Sequence, residues 1–468
     1  MDADRSEVSE GDRLDRHVDW DRLLRHFSDA ATRGAEDQQL RASRELRRLC
    51  KYAPERVLRE TIAVLVGLLG SPNSAVQEAA ARSLSCVARW GGGSLCPVVG
   101  QSGAIAALLR LLPQATGGRE RRLAECLRTL VAFDNGNRVI LARNGGLEGI
   151  LHLIPLCADE TRGCLLEVLS AVAMLWEVRR AIVHTGGLPL LIEAVSCGPM
   201  TSRRRAAHAI GLMATASRVH HMLVDWRVVP ALLDLLREGD PQAKLTAANS
   251  LGIISSHVDY LRLVAQAGAI PLYAELLEGQ DALGKEIAED VFCILAVVEE
   301  NAVLICAQLV KILRGDDEDA KAAAADVLWG LSGHNHSFSV IGESGAIPLL
   351  LSLLQEGGDD AREKALGAIV QMSYDEADRR VLADEGAIPV LIGLLRSESE
   401  ELEDNAIEAL VNFSEDPFLC DRVSEVSDHP LFLAVRVRLA IIRSSDEHLI
   451  RSLQQLSVDH FTSHPELM

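Results

Sequence analysis

The chain is poor in aromatic side chains, short of positive charge, and free of any paired-cysteine or phosphate-loop motif. Aromatics make up 4% of its 468 residues, too few for a core built on rings. The 48% hydrophobic content must therefore pack through Ala, Leu and other aliphatic side chains, as closely spaced helices do. Lys and Arg number 47 against 67 Asp and Glu, a formal net charge of −20. That balance opposes direct nucleic-acid binding, which needs cations to neutralise phosphates, and adhesion to anionic membranes. The cysteines are scattered from Cys50 to Cys420 with no Cys-x-x-Cys and no His at zinc spacing, which points to free thiols in a reducing compartment, cytoplasmic or nuclear. No apolar run reaches the roughly 18 residues of a bilayer span. Residues 1–19 are charged, unlike a secretory signal, and Asp2 stands where N-myristoylation needs Gly. Gly91-Gly92-Gly93 is not followed by Gly-Lys-Ser/Thr, and neither Gly-x-Ser-x-Gly nor His-Glu-x-x-His occurs. The pairs His220-His221 and His334-x-His336 lack a third ligand at workable spacing. The expectation is a protein that is not an enzyme, with no catalytic, metal or cofactor site.

What is present is repetition. Gly103-Ala104-Ile105, Gly146-Leu147, Gly187-Leu188-Pro189, Gly268-Ala269-Ile270-Pro271, Gly345-Ala346-Ile347-Pro348 and Gly386-Ala387-Ile388-Pro389 each open an apolar run that ends in an apolar pair six residues later. Weaker copies sit at Ile62, Val229 and Cys306. From Ile62 through Ile105, Leu147, Leu188, Val229, Ile270, Cys306, Ile347 and Ile388 the steps are 43, 42, 41, 41, 41, 36, 41 and 41 residues. A period near 41 is that of a helical solenoid, whose units pack only on their neighbours and whose surface carries the function.

Each repeat shares a grammar. Gly supplies the positive φ that ends a short helix, Pro starts the next, and a polar connector such as Gly239-Asp240-Pro241 leads into the longest helix. In the last repeat Leu402, Ala406, Ala409, Leu410 and Phe413 form one buried stripe. Val76, Ala80, Ser83, Leu84 and Val87 reproduce it in the first, and Ala42, Leu46, Leu49, Cys50 and Ala53 do so upstream. The predicted organisation is a disordered acidic tail at 1–19, capping helices at 20–53, about nine repeats at 54–423, and capping helices at 424–468, the second carrying Leu449, Leu453 and Leu456. The copy near 295–315 lacks its Gly and is shortened by five residues, about one and a half helical turns, so its first short helix should be missing or reduced. Met174 and Trp176 close an apolar helix and read as core. Arg119-Glu120-Arg121-Arg122 and Arg203-Arg204-Arg205 start third helices and read as solvated faces.

Gly386-Ala387-Ile388-Pro389-Val390-Leu391-Ile392-Gly393-Leu394-Leu395, followed by Ala406-Ile407-Glu408-Ala409-Leu410-Val411-Asn412-Phe413-Ser414, resembles the armadillo repeat. The phrases Glu-Gly-Ala-Ile-Pro and Ser-Gly-Ala-Ile-Pro look most like the armadillo arrays of plant U-box proteins, although only about 50 residues precede the repeats here, too few for a U-box of about 70 as that resemblance implies. The resemblance implies an all-α, right-handed solenoid with three helices per repeat, the third lining a groove that binds other proteins, including extended segments. In the family's nuclear-import adaptors the groove uses an Asn late in that helix and a Trp four residues earlier. The Asn-like positions here hold only Asn412 and Gln371 as candidates, and none of the Trp-like positions is Trp. An import-type carrier of basic peptides is therefore the lesser reading beside a scaffold, or a substrate-recruiting adaptor for a separate ubiquitin ligase. The Trp-like row instead contains Glu125, Glu167, His208, Asn249, Asp290, Asp326 and Glu408, and the row one turn earlier contains Glu363 and Asp404. These residues, with Asn412, are the candidate partner-binding positions. They define either a groove that attracts a Lys- or Arg-bearing segment or a solvated acidic face; no cofactor, membrane or direct nucleic-acid contact is implied.

Overall fold

The computed structural model describes residues 19–442 except 51, 217–218, 220–221, 224–226, 334–336 and 397–398. The tail at 1–18, both histidine pairs, and the stretch with Leu449, Leu453 and Leu456 lie outside the described residues. All regular structure among the described residues is helical, with no strand, so the fold class is an all-α helical-repeat solenoid. The chain divides into two compact units, residues 1–254 and 255–468.

The last repeat shows how sequence becomes structure. Asp375 caps the helix Glu376–Asp384 by accepting from the Ala377 amide at 2.7 Å. Gly386 then takes φ 90°, a conformation only glycine adopts without strain. That residue turns the chain into Ala387–Leu394, whose Ile388, Leu391 and Leu394 are buried. Ser399 caps the third helix Glu400–Ser414, and Leu402, Ala406, Ala409, Leu410 and Phe413 are buried along it. Each fully buried Leu or Phe contributes roughly 1.5–3 kcal/mol relative to exposure. The same joint recurs at Gly103, Gly268 and Gly345, while in the double-glycine copies the positive φ falls on Gly145 and Gly186. Where the glycine is missing, two outcomes are seen. At the weak copy before Val229, Arg227 is forced to φ 54°. At the shortened repeat no joint forms, and Glu299–Leu313 runs as a single 15-residue helix in place of two.

The first unit begins with Trp20–Arg33, capped by Asp19, and Glu36–Leu49. Third helices then stack side by side through Ser74–Arg89, Gly117–Phe133, Asp159–Val172 and Met200–Ala214. Cys96–Gln114 in this unit is long and apolar enough to cross a membrane by length and composition, contrary to the expectation that no such run exists. Here it is a core segment broken at Gly103, and Cys96, Val99, Ile105 and Leu108 are buried. In the second unit the third helices are Ala282–Leu295, Glu318–Ser332, Asp359–Met372 and Glu400–Ser414. A helical stretch at 430–442 follows, burying Phe432, Val435 and Leu439.

Arginines tie successive helices together, within a repeat and from one repeat to the next. Arg162, Arg203 and Arg362 each donate to the carbonyl eight residues back, on Ile154, Val195 and Leu354, where the second helix ends. Arg138, Arg179 and Arg379 each donate to two carbonyls at the end of the preceding third helix. Both sets satisfy carbonyls that a helix end leaves without partners. Two residues of the triplet Arg203-Arg204-Arg205 are thus not part of a solvated face: Arg203 binds the Val195 carbonyl, and Arg205 reaches the Ala132 carbonyl at 3.2 Å. Buried Asn137 and Asn301 play a related part. Asn137 donates to the Cys96 and Leu130 carbonyls, and Asn301 to those of Leu261 and Leu295, all at 3.0 Å.

Candidate functional site

The candidate residues all lie on third helices, in two groups with different electrostatics, one in each unit. In the first unit the carboxylates are matched by arginine. Glu125 accepts from Arg121 at 2.9 Å and from Arg122 at 2.7 Å. Burial alone would raise the Glu125 pKa, but the Arg122 and Arg121 hydrogen bonds outweigh it and hold the carboxyl below its usual value. Glu167 accepts from Arg128 at 3.0 Å, and Glu78, one turn before the row, accepts from Arg82 at 2.6 Å. His208 is half-buried, and burial, then the nearby Arg179, lowers its pKa, so it is neutral at physiological pH. Asn249 is exposed.

In the second unit the carboxylates outnumber the cations. Asp290 and Asp404 are exposed, and Glu363 is half-buried. Asp326 is bound by Lys364 at 3.2 Å. Glu408 accepts from the Tyr374 hydroxyl at 2.5 Å and meets Arg438 at 3.5 Å. Glu289 sits half-buried beside Asp326, and its pKa is raised by burial first and then by Asp326, Asp290 and Glu286, with Lys364 the opposing influence. Like charges crowd around Glu289, and Lys364 offsets only part of them.

Sequence reasoning missed an aromatic on the same face. Trp329 is 37% exposed, with the Lys364 ammonium 5.7 Å from its ring centroid. The ring lies so close over Gly367 that a Cβ there would sit 2.6 Å from it. Gly367, which stands 41 residues before Glu408 and so in the same row, thus makes room for a tryptophan of the neighbouring third helix. Two expectations are corrected. Asn412 is fully buried, its amide donating to the Ser373 hydroxyl at 2.8 Å, so it is turned between repeats and not presented to a partner. Trp176 is not core: it opens the helix Trp176–His184 and is 63% exposed.

The cysteines carry no disulfide. Burial raises the thiol pKa of Cys50, Cys126 and Cys306 to about 12, leaving them protonated and unreactive at neutral pH. Among the described residues no group of three or more His, Cys, Asp or Glu side chains could hold a metal ion.

No protein-family model and no curated protein sequence matches the chain. Among solved structures, it is similar to an engineered protein from a structural genomics consortium, at 23% identity over 83% of this chain and 98% of that one, with a TM-score of 0.61. It also matches a designed armadillo repeat protein in complex with the peptide (KR)4, at 20% identity over 48% of this chain and 99% of that one, with a TM-score of 0.39. A second designed armadillo repeat protein matches at 20% identity over 48% of this chain and 99% of that one, with a TM-score of 0.37. At 23% identity the likeness to the first of these concerns the fold alone.

Proposed function

We propose that the protein is a non-catalytic scaffold of the cytoplasm or nucleus that binds other proteins along its third-helix faces, and that the face of the second unit takes an extended segment bearing Lys or Arg. The observation that carries this reading is the surface formed by Glu289, Asp290, Asp326 and Trp329. Its carboxylates exceed its cations, and the one ammonium it holds, Lys364, sits between a carboxylate and an indole ring. Those two groups are the ones that recognise a basic side chain, by charge and by cation–π attraction. Burial disfavours the charged Lys364, but the hydrogen bond to Asp326 and the attraction of its carboxylate dominate and raise the ammonium's pKa. The surface thus stabilises a cation even while partly removed from water.

The test is fluorescence anisotropy of a labelled peptide of alternating Lys and Arg, against a peptide of the same length made of Glu and Ser. Tight binding of the basic peptide alone, weakening as salt is raised, is expected. The variant Asp290→Asn, Asp326→Asn, Trp329→Ala should lose at least about tenfold in affinity, or 1.4 kcal/mol. Equal affinity of wild type and variant, with circular dichroism unchanged, refutes the assignment of binding to this face.

A further inference from the structure

The third-helix face of the first unit contains a feature of opposite sign. A cavity of about 210 Å³ opens between Glu36–Leu49, Ser74–Arg89 and Gly117–Phe133, and Arg47, Arg82, Arg89, Arg122 and Arg128 all line it. Five guanidinium groups around one small cavity are anomalous in a chain of net charge −20. They are also unequally engaged. Arg82 is held by Glu78, Arg122 by Glu125, and Arg128 by Glu167. Arg47 and Arg89 have no carboxylate partner among the described residues; Arg89 makes only a 3.2 Å bond to the Ser85 carbonyl of its own helix. Arg121 shares Glu125 with Arg122 and also meets Glu160, so six guanidiniums stand against the four carboxylates Glu78, Glu125, Glu160 and Glu167, which leaves two positive charges unmatched around the cavity.

We propose that this cavity is a binding site for a phosphorylated side chain of a protein partner. A phosphoserine or phosphothreonine carries about −1.5 to −2 charges at pH 7 on three acceptor oxygens, which matches both the unmatched charge and the convergent forks of several arginines. A single carboxylate would neutralise half of the excess. The arginines already tied to Glu78, Glu125 and Glu167 cost little conformational entropy to order, since the ion pairs hold them before a ligand arrives. The overall acidity of the chain disfavours an anionic membrane or nucleic acid as the source of the phosphate, because either would bring many negative charges to a protein that carries an excess of them. One phosphate on a protein segment brings its charge to the cavity alone. The site lies on a different unit from the acidic surface proposed above and does not depend on it.

Isothermal titration calorimetry of the full chain at low salt tests the site with three capped pentapeptides that differ only at the centre: phosphoserine, serine and glutamate. The phosphoserine peptide should bind at least about tenfold more tightly than either twin, and inorganic phosphate should compete with it. In the variant Arg47→Gln, Arg89→Gln, which strands no carboxylate, that preference should disappear while the circular dichroism spectrum and melting temperature stay as in wild type. Arg122→Lys provides a second check, since it keeps the charge but loses the fork, and it should weaken the phosphopeptide severalfold. Equal binding of the three peptides, or undiminished phosphopeptide affinity in the folded double variant, overturns the proposal. So does capture by vesicles containing a phosphoinositide without any binding of the phosphopeptide.

Discussion

Asp378 occupies the position that Asn137 and Asn301 hold in other repeats, the third residue of its helix, and it should be costly at neutral pH. It is 1% exposed, and neither carboxyl oxygen has a hydrogen-bond partner. The asparagines at the equivalent position donate to two backbone carbonyls each. An ionised carboxylate can donate to nothing, so burial, then the nearby Asp375, pushes the Asp378 pKa from 3.8 to about 8. Because the folded pKa lies above the unfolded one, the native state holds the proton more tightly. Stability linked to this group is fully present below about pH 4 and is lost as pH rises through 8. At about 1.4 kcal/mol per unit, the cost at pH 7 is on the order of 4 kcal/mol. Asp378→Asn removes that cost and supplies an amide donor, so it should raise the free energy of unfolding by a few kcal/mol at pH 7 and by little at pH 4. Urea denaturation of both proteins, followed by circular dichroism from pH 4 to pH 8, measures the gap. A gap that stays constant across this range, or a variant less stable than wild type at pH 7, would show that Asp378 does not fold as a neutral acid.

Two further substitutions probe the backbone and the packing. Gly367→Ala places a Cβ 2.6 Å from the Trp329 ring, so the ring must move. A loss of about 1–3 kcal/mol is expected, together with a shift in tryptophan emission; an unchanged spectrum and stability would mean that the ring does not rest on Gly367. Arg227→Gly relieves the left-handed backbone at φ 54° and should gain up to about 1 kcal/mol in urea denaturation, and a loss would show that the Arg227 side chain contributes more than the strain costs.

The repeat boundaries were legible because they are local. A glycine two residues before an apolar Ile fixes a joint through its own φ, and the buried stripe of Glu400–Ser414 follows from helical spacing alone. The site was less legible because it is made through space. Glu125 and Asp326 occupy the same row in the sequence, yet one is bound by two arginines of its own helix and the other by Lys364 of the next repeat. Asn412 read as outward-facing because its register matched a binding position, whereas a contact through space, to the Ser373 hydroxyl 39 residues away, holds it inward. Trp329 escaped notice because it lies three residues past the expected row and depends on the missing side chain of Gly367. The arginine bonds to the carbonyl eight residues back did leave a trace, since Arg162, Arg203 and Arg362 fall at one phase of the period.

The uninterrupted helix Glu299–Leu313 has a mechanical meaning. On either side of it in sequence, Gly268 and Gly345 provide joints whose dihedral angles can yield without breaking a helix. Bending Glu299–Leu313 would instead require rupturing consecutive hydrogen bonds of its ladder. Under a pulling or bending load, deformation in this unit should therefore collect at the glycine joints, while the fused helix travels as a splint that keeps its own repeat in shape.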